Sequence, residues 1–178
     1  MLKKNYDYPW FFINSEMLHF SNTLSESKLK NDKEKLAKAI FELTSSRFQS
    51  PKYSIRIFKT YASEVAYKIW EQGGNTGSLK QSIAIKAMLL ATGCFSDKDI
   101  RILRTEPPHY TPASGGHFYL KVKLDKSSVY QDSWGREWKV AYGERFVSGK
   151  DVDYKVPKVM GEWNRKYRTP FCTLCLKL

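Results

Sequence analysis

From Gln72 to Gly93 runs a segment that only a folded interior can accommodate. Gln72-Gly-Gly-Asn-Thr-Gly-Ser78 reads as a glycine-rich turn. Leu79 to Thr92 then carries Leu79, Ile83, Ala84, Ile85, Ala87, Met88, Leu89, Leu90 and Ala91. On a 3.6-residue period these apolar side chains fall on nearly every side, so the spacing predicts a helix buried all round. Gly93 supplies the stop. Other elements must pack about such a rod, and Ser78 stands at its mouth, where unpaired N–H groups and the helix dipole favour negative charge. That position suits an anionic nucleophile or the oxyanion of an acyl intermediate. The bland alternative is an ordinary N-cap serine.

The flanking segments have different periods. Residues 1 to 20 are rich in aromatics, among them Tyr6, Tyr8, Trp10, Phe11, Phe12 and Phe20, and are expected to form an irregular arm packed on the body. From Ser25 to about Phe48, Leu29, Leu36, Ile40 and Leu43 recur at helical steps, with a charged outer face. A second amphipathic helix is expected from about Ser54 to Trp70, with Ile57, Phe58, Tyr61, Val65 and Ile69 on one stripe. After Gly93 the pattern becomes strand-like. Asp99 to Arg104, His117 to Leu124, Ser128 to Asp132 and Glu137 to Tyr142 read as strands, and the last three as an antiparallel sheet. The proline- and glycine-rich stretch from Glu106 to Gly116 is a loop. Helices first and strands afterwards give an α+β class. The expected organisation is a single domain over 1–178. Within it, 1–71 holds the aromatic arm and helices, 72–142 the core that carries the chemistry, and 143–178 a C-terminal extension.

Composition narrows the classes. A chain that is 42% apolar and 15% aromatic folds as a globule. Its three cysteines, Cys94, Cys172 and Cys175, are too few and too unevenly placed for a disulfide framework. Cys172 and Cys175 have the spacing of half a zinc site with no second pair, so neither a metal nor another cofactor is expected. The net charge of +12 attracts acidic partners, but the basic residues are scattered and form no long block, so nucleic acid is not the expected target. No apolar run is long enough to span a bilayer or form a signal-peptide core. The expectation is a protein of the producing cell's cytosol, or one delivered into a target cell without a cleaved signal.

Three positions then line up as a candidate site. Ser78 opens the buried helix, His117 opens a strand after Gly115-Gly116, and Asp132 ends the next strand, before Ser133-Trp134-Gly135. On neighbouring antiparallel strands His117 and Asp132 are expected opposite each other, where a carboxylate fixes an imidazole tautomer. A helix N-terminus facing that pair completes a nucleophile, base and orienter. The bland readings are a strand-end histidine, a turn aspartate and a core tryptophan at Trp134. His19 reads as a surface or packing histidine, His109 as a rim or surface residue, and Cys94 as a core or surface thiol.

The order and spacing of these residues resemble the transglutaminase-like branch of the papain-like cysteine enzymes. Gly77-Ser78 before the apolar helix is similar to the region where that group carries its cysteine. Gln72 sits where papain-like enzymes carry an oxyanion-hole glutamine. Asp132-Ser-Trp-Gly135 is similar to their Asn-Ser-Trp-Gly, and the match covers roughly residues 72 to 140. The resemblance implies a papain/transglutaminase-like core, with N-terminal helices and a buried central helix packed on an antiparallel sheet. It also implies a cysteine-type protease, glutamine deamidase or transglutaminase working through an acyl-enzyme, with Ser78, His117 and Asp132 as catalytic residues and Gln72 at the oxyanion. Compact members of the group often serve as bacterial toxins or effectors, which implies a protein substrate and an acidic inhibitor or immunity partner. The departure is serine at the nucleophile position, since a hydroxyl is far less acidic than a thiol. Two readings stay open: an enzyme inactivated by a cysteine-to-serine replacement, or a natural pseudoenzyme whose basic surface binds an acidic protein or nucleic acid.

Overall fold

A computed structural model describes residues 11–49, 65–106, 117–146 and 149–156. Among them the first element, α1 (Ser15–Glu26), begins inside the stretch expected to be irregular. Asn14 explains the difference: its side chain accepts the Met17 N–H at 3.0 Å, and Glu16 places an acid in the first turn. The single helix expected from Ser25 to Phe48 is likewise split. The Ser27 side chain accepts from Leu29 N–H and the Asp32 side chain from Lys35 N–H, so a short 3₁₀ turn (Lys28–Asn31) separates α1 from α2 (Lys33–Arg47). Helix α3 (Ala66–Gln72) holds the end of the second expected helix, whose earlier stripe of Ile57, Phe58 and Tyr61 lies outside the described residues. Gly73 ends it with φ 53° and ψ −160°, a positive-φ conformation that glycine adopts without strain.

Helix α4 (Ser78–Ala91) is the buried rod that its composition predicts: every residue from Gln81 to Ala91 is buried. It packs against α1, α2 and α3 on one side and against strands β3 (Ile100–Glu106) and β4 (His117–Lys123) on the other. Before it, a two-residue parallel pairing joins β1 (Phe48–Gln49) to β2 (Gly74–Asn75), which moors the glycine turn to the end of α2. Arg47 strengthens the same corner, donating from Nε to Trp70 O at 2.7 Å with its guanidinium 4.5 Å from the Trp70 ring centroid.

The main sheet has four antiparallel strands in the order β5-β4-β3-β6, with β5 at Ser128–Gln131 and β6 at Lys150–Asp153. Phe118, Leu120 and Val122 of β4 join the helical core, while Tyr119 alternates away from it toward Asp151 and Arg145. Gln131 donates from Nε2 to Ala37 O at 3.0 Å and so ties the end of β5 to α2. The strand expected from Glu137 to Tyr142 does not form. A 3₁₀ turn (Trp134–Trp138) takes its place, and Lys139 follows with φ 65°. Only a single bridge between Tyr130 and Gly143 remains of that pairing. The fourth strand comes instead from the part read as a C-terminal extension, so the core continues past residue 142. No helix among the described residues is long and apolar enough to cross a membrane.

Candidate active site

Ser78 is the first residue of α4, not its cap. Gly77 takes the cap position, with φ −75° and ψ 159° and no side chain to offer. The first helical bond runs from Gln81 N–H to Gly77 O at 3.1 Å, so the N–H groups of residues 78 to 80 precede the intrahelical ladder. A Cβ built on Gly77 would meet nothing within 4 Å, which leaves the helix mouth open at that point. The Ser78 hydroxyl accepts the Phe118 N–H at 3.2 Å, so the tip of α4 touches the backbone of the residue next to His117.

His117 and Asp132 form a buried pair, with Nε2 and Oδ2 2.7 Å apart and only 7% and 1% of the two residues exposed. The Asp132 carboxylate is fully engaged by donors: Oδ2 also accepts Phe146 N–H at 2.8 Å, and Oδ1 accepts Gly135 N–H at 3.0 Å. A carboxylate that accepts from every neighbour accepts the Nε2–H of the imidazole as well, which makes Nδ1 the acceptor nitrogen of the neutral ring. Trp134 covers the ring at 5.1 Å between centroids and Phe146 meets it edge-on at 6.0 Å. The two strands do not set this pair directly opposite. Leu120 pairs with Gln131, so one further step would set Tyr119 against Asp132, and His117 lies two residues beyond on the same face. The contact is therefore diagonal, made after β5 has ended and the chain has turned at Ser133.

The structure thus pairs His117 with Asp132 and brings the Ser78 hydroxyl to the backbone of the residue beside His117, while among the described hydrogen bonds none joins Ser78 to His117 or Asp132. Gln72 is exposed as the last residue of α3, and among the described hydrogen bonds none joins it to these three. His109, Cys172 and Cys175 lie outside the described residues. The His19 ring lies tilted against that of Phe20 on α1, and Cys94 is a half-buried free thiol after α4. Among the described residues no three His, Cys, Asp or Glu side chains gather as a metal site.

Sequence reasoning did not find Gln81 or Phe146, and it named Gly135 only as part of the Asp132-Ser-Trp-Gly135 motif. Gln81 is only 1% exposed, and it joins the turn before Ser78 to the turn after Asp132. A signal for it existed, since Ser78-x-x-Gln81 has capping-box spacing at the mouth of a largely apolar helix. Phe146 left no comparable trace, because its role is a backbone N–H brought in from a distant loop. No family model matches this chain, and neither a curated protein nor a solved structure does.

Proposed function

We propose that the chain is a papain/transglutaminase-like enzyme that acts on protein amide bonds through an acyl intermediate, with position 78 as the nucleophile. One observation carries the reading: a buried His117–Asp132 pair stands beside a helix N-terminus whose first side chain is a nucleophile type. In the first step the atom at position 78 bonds to the amide carbonyl carbon and its proton passes to His117 Nδ1. The N–H groups at the start of α4 hold the oxyanion. Collapse breaks the C–N bond, the amine leaves with the proton from Nδ1, and the acyl group stays on residue 78. Water or a second amine then attacks the acyl carbon and gives its proton to His117, and the bond to residue 78 breaks as that proton passes from His117 to the atom at position 78. Asp132 orients the ring throughout.

A serine hydroxyl makes the first step hard, and its oxygen already accepts from Phe118 N–H. The form with cysteine at position 78 is the competent one, and the chain with serine is weakly active or silent. The net charge of +12 favours an acidic protein as substrate or inhibitor, as for a small toxin or effector.

The test is to make Ser78→Cys and follow acyl transfer from a glutamine- or peptide-amide reporter. Ser78→Cys should gain activity over the parent, and His117→Ala in that background should lower it by on the order of 10²–10⁴-fold. If Ser78→Cys stays silent and its thiol reacts with an amide-type electrophile no faster than it does with His117→Ala, the enzymatic reading fails. A basic binding module is then the better description.

A further inference from the structure

Gln81 is a buried polar residue on the first turn of the most apolar helix, and both ends of its amide are used. Nε2 donates to Thr76 O at 3.0 Å, and Oε1 accepts the Ser133 hydroxyl. The assignment follows from chemistry: a backbone carbonyl can only accept, so the NH₂ must face Thr76, and the oxygen is left for Ser133. Thr76 lies two residues before Ser78, and Ser133 directly follows Asp132. One side chain therefore spans the two segments that position the nucleophile and the residue that orients the base. Those segments are otherwise remote: Gln81 and Ser133 are 52 residues apart in sequence. At 1% and 7% exposure, Gln81 and Ser133 meet away from solvent, so losing either partner leaves a buried group unpaired.

We infer that Gln81 is a positioning residue that sets the distance between the turn carrying Ser78 and the turn carrying Asp132, and so controls how His117 is held. It touches neither His117 nor Ser78 in the described hydrogen bonds; it acts through Thr76 and Ser133. The geometry makes its two arms separable. Gln81→Glu keeps an acceptor for Ser133 but has no amide hydrogen for Thr76 O, whereas Ser133→Ala removes the other arm and leaves the first.

The inference rests on the site proposed above, yet it can be tested on the chain as it stands, without turnover. In the parent protein the His117 Nε2–H donated to Asp132 should give a slowly exchanging proton in NMR spectra of ¹⁵N-labelled ring nitrogens. Gln81→Leu should speed that exchange by about tenfold or more, through the extra local opening that follows when buried partners are lost. Gln81→Glu and Ser133→Ala should each do so in part, with near-UV circular dichroism unchanged. The double variant Gln81→Leu/Ser133→Ala should show no more than the larger single effect, because both act on one connection. In the Ser78→Cys background, Gln81→Glu should lower kcat while leaving KM in place. Unchanged exchange in folded Gln81→Glu and Ser133→Ala, or fully additive effects in the double variant, would overturn the role of Gln81. If the exchange responds but Ser78→Cys has no activity, the connection stands and the enzymatic reading falls.

Discussion

At the scale of single residues, Gly135 decides whether the aspartate turn can close. A Cβ placed there would lie 2.9 Å from Phe146 Cβ and 3.1 Å from Val140 Cβ, atoms bonded to their backbones and unable to swing aside. Gly135 N–H also donates to Asp132 Oδ1, and Phe146 N–H donates to Oδ2. A methyl group at this position thus pushes apart two donors that share one carboxylate. Gly135→Ala should cost about 1–3 kcal/mol, the usual range for overpacking, read from the shift in urea midpoint. It should also speed exchange of the His117 ring proton, because the carboxylate that holds that ring loses its support. Unaltered stability and exchange would show that the 135–146 loop yields without strain. Nothing comparable constrains Gly77, where the same methyl meets open space.

At the scale of elements, α4 shows both what sequence pattern reveals and what it hides. An apolar helix needs no context to be recognised, and the alternation of His117 to Lys123 marks β4 in the same way. The three residues of the candidate site were legible because each stands at a boundary: a helix start, a strand start and a strand end. The segment from Glu137 to Tyr142 alternates like a strand, but the Asp132–Gly135 turn and the left-handed Lys139 direct it into a 3₁₀ turn instead. Lys-Asp-Val-Asp153 has one apolar residue and gives no strand signal; pairing with β3 makes it a strand. Helix α4 also buries a lysine. Lys86 Nζ donates to Ile100 O at 2.8 Å and pairs with Asp97 at 2.7 Å, and it lies 5.0 Å from the Phe11 ring centroid. Only 9% of the Lys86 side chain is exposed against 61% for Asp97, so the two partners differ in value. Lys86→Met should cost about 1–3 kcal/mol for the lost charged donor to a buried carbonyl. Asp97→Asn should cost about 1 kcal/mol or less, as for an exposed ion pair. Equal costs in denaturant melts would mean that the ion pair, not the helix-to-strand bond, holds α4 on β3.

At the scale of the whole molecule, the sheet order β5-β4-β3-β6 requires the chain to cross two strands, β4 and β3, between β5 and β6, and a polar cluster on the face away from the helices fastens that return. Tyr119 and Tyr130 donate to the two Asp151 oxygens at 2.6 and 2.9 Å, and Arg145 binds both Asp151 and the Tyr119 hydroxyl, the latter at 3.0 Å. Burial pushes the Tyr119 phenol up; for Tyr130 the hydrogen bond to Asp151 does so first. Burial alone would raise the Asp151 carboxyl. The hydrogen bonds from Tyr119 and Tyr130, with the charges of Arg145 and Lys121, outweigh it and hold that carboxyl below its ordinary 3.8. A group depressed in the folded state contributes stability that is present above its unfolded value and lost as pH falls through its folded one. The cluster should therefore hold β6 fully at neutral pH and release it below about pH 3.8. Asp32, Asp99 and Asp153 are depressed as well, so the parent's acid limb is shared, and only a comparison with a variant isolates Asp151. Asp151→Asn should be about 1.5–3 kcal/mol less stable than the parent at pH 7, the range for hydrogen bonds to a charged group. The gap in urea midpoints should then narrow as pH falls through the folded Asp151 value, because protonation removes in the parent what the substitution removed in the variant. A gap that stays constant down to pH 2 would show that the Asp151 charge does not hold β6 to the sheet.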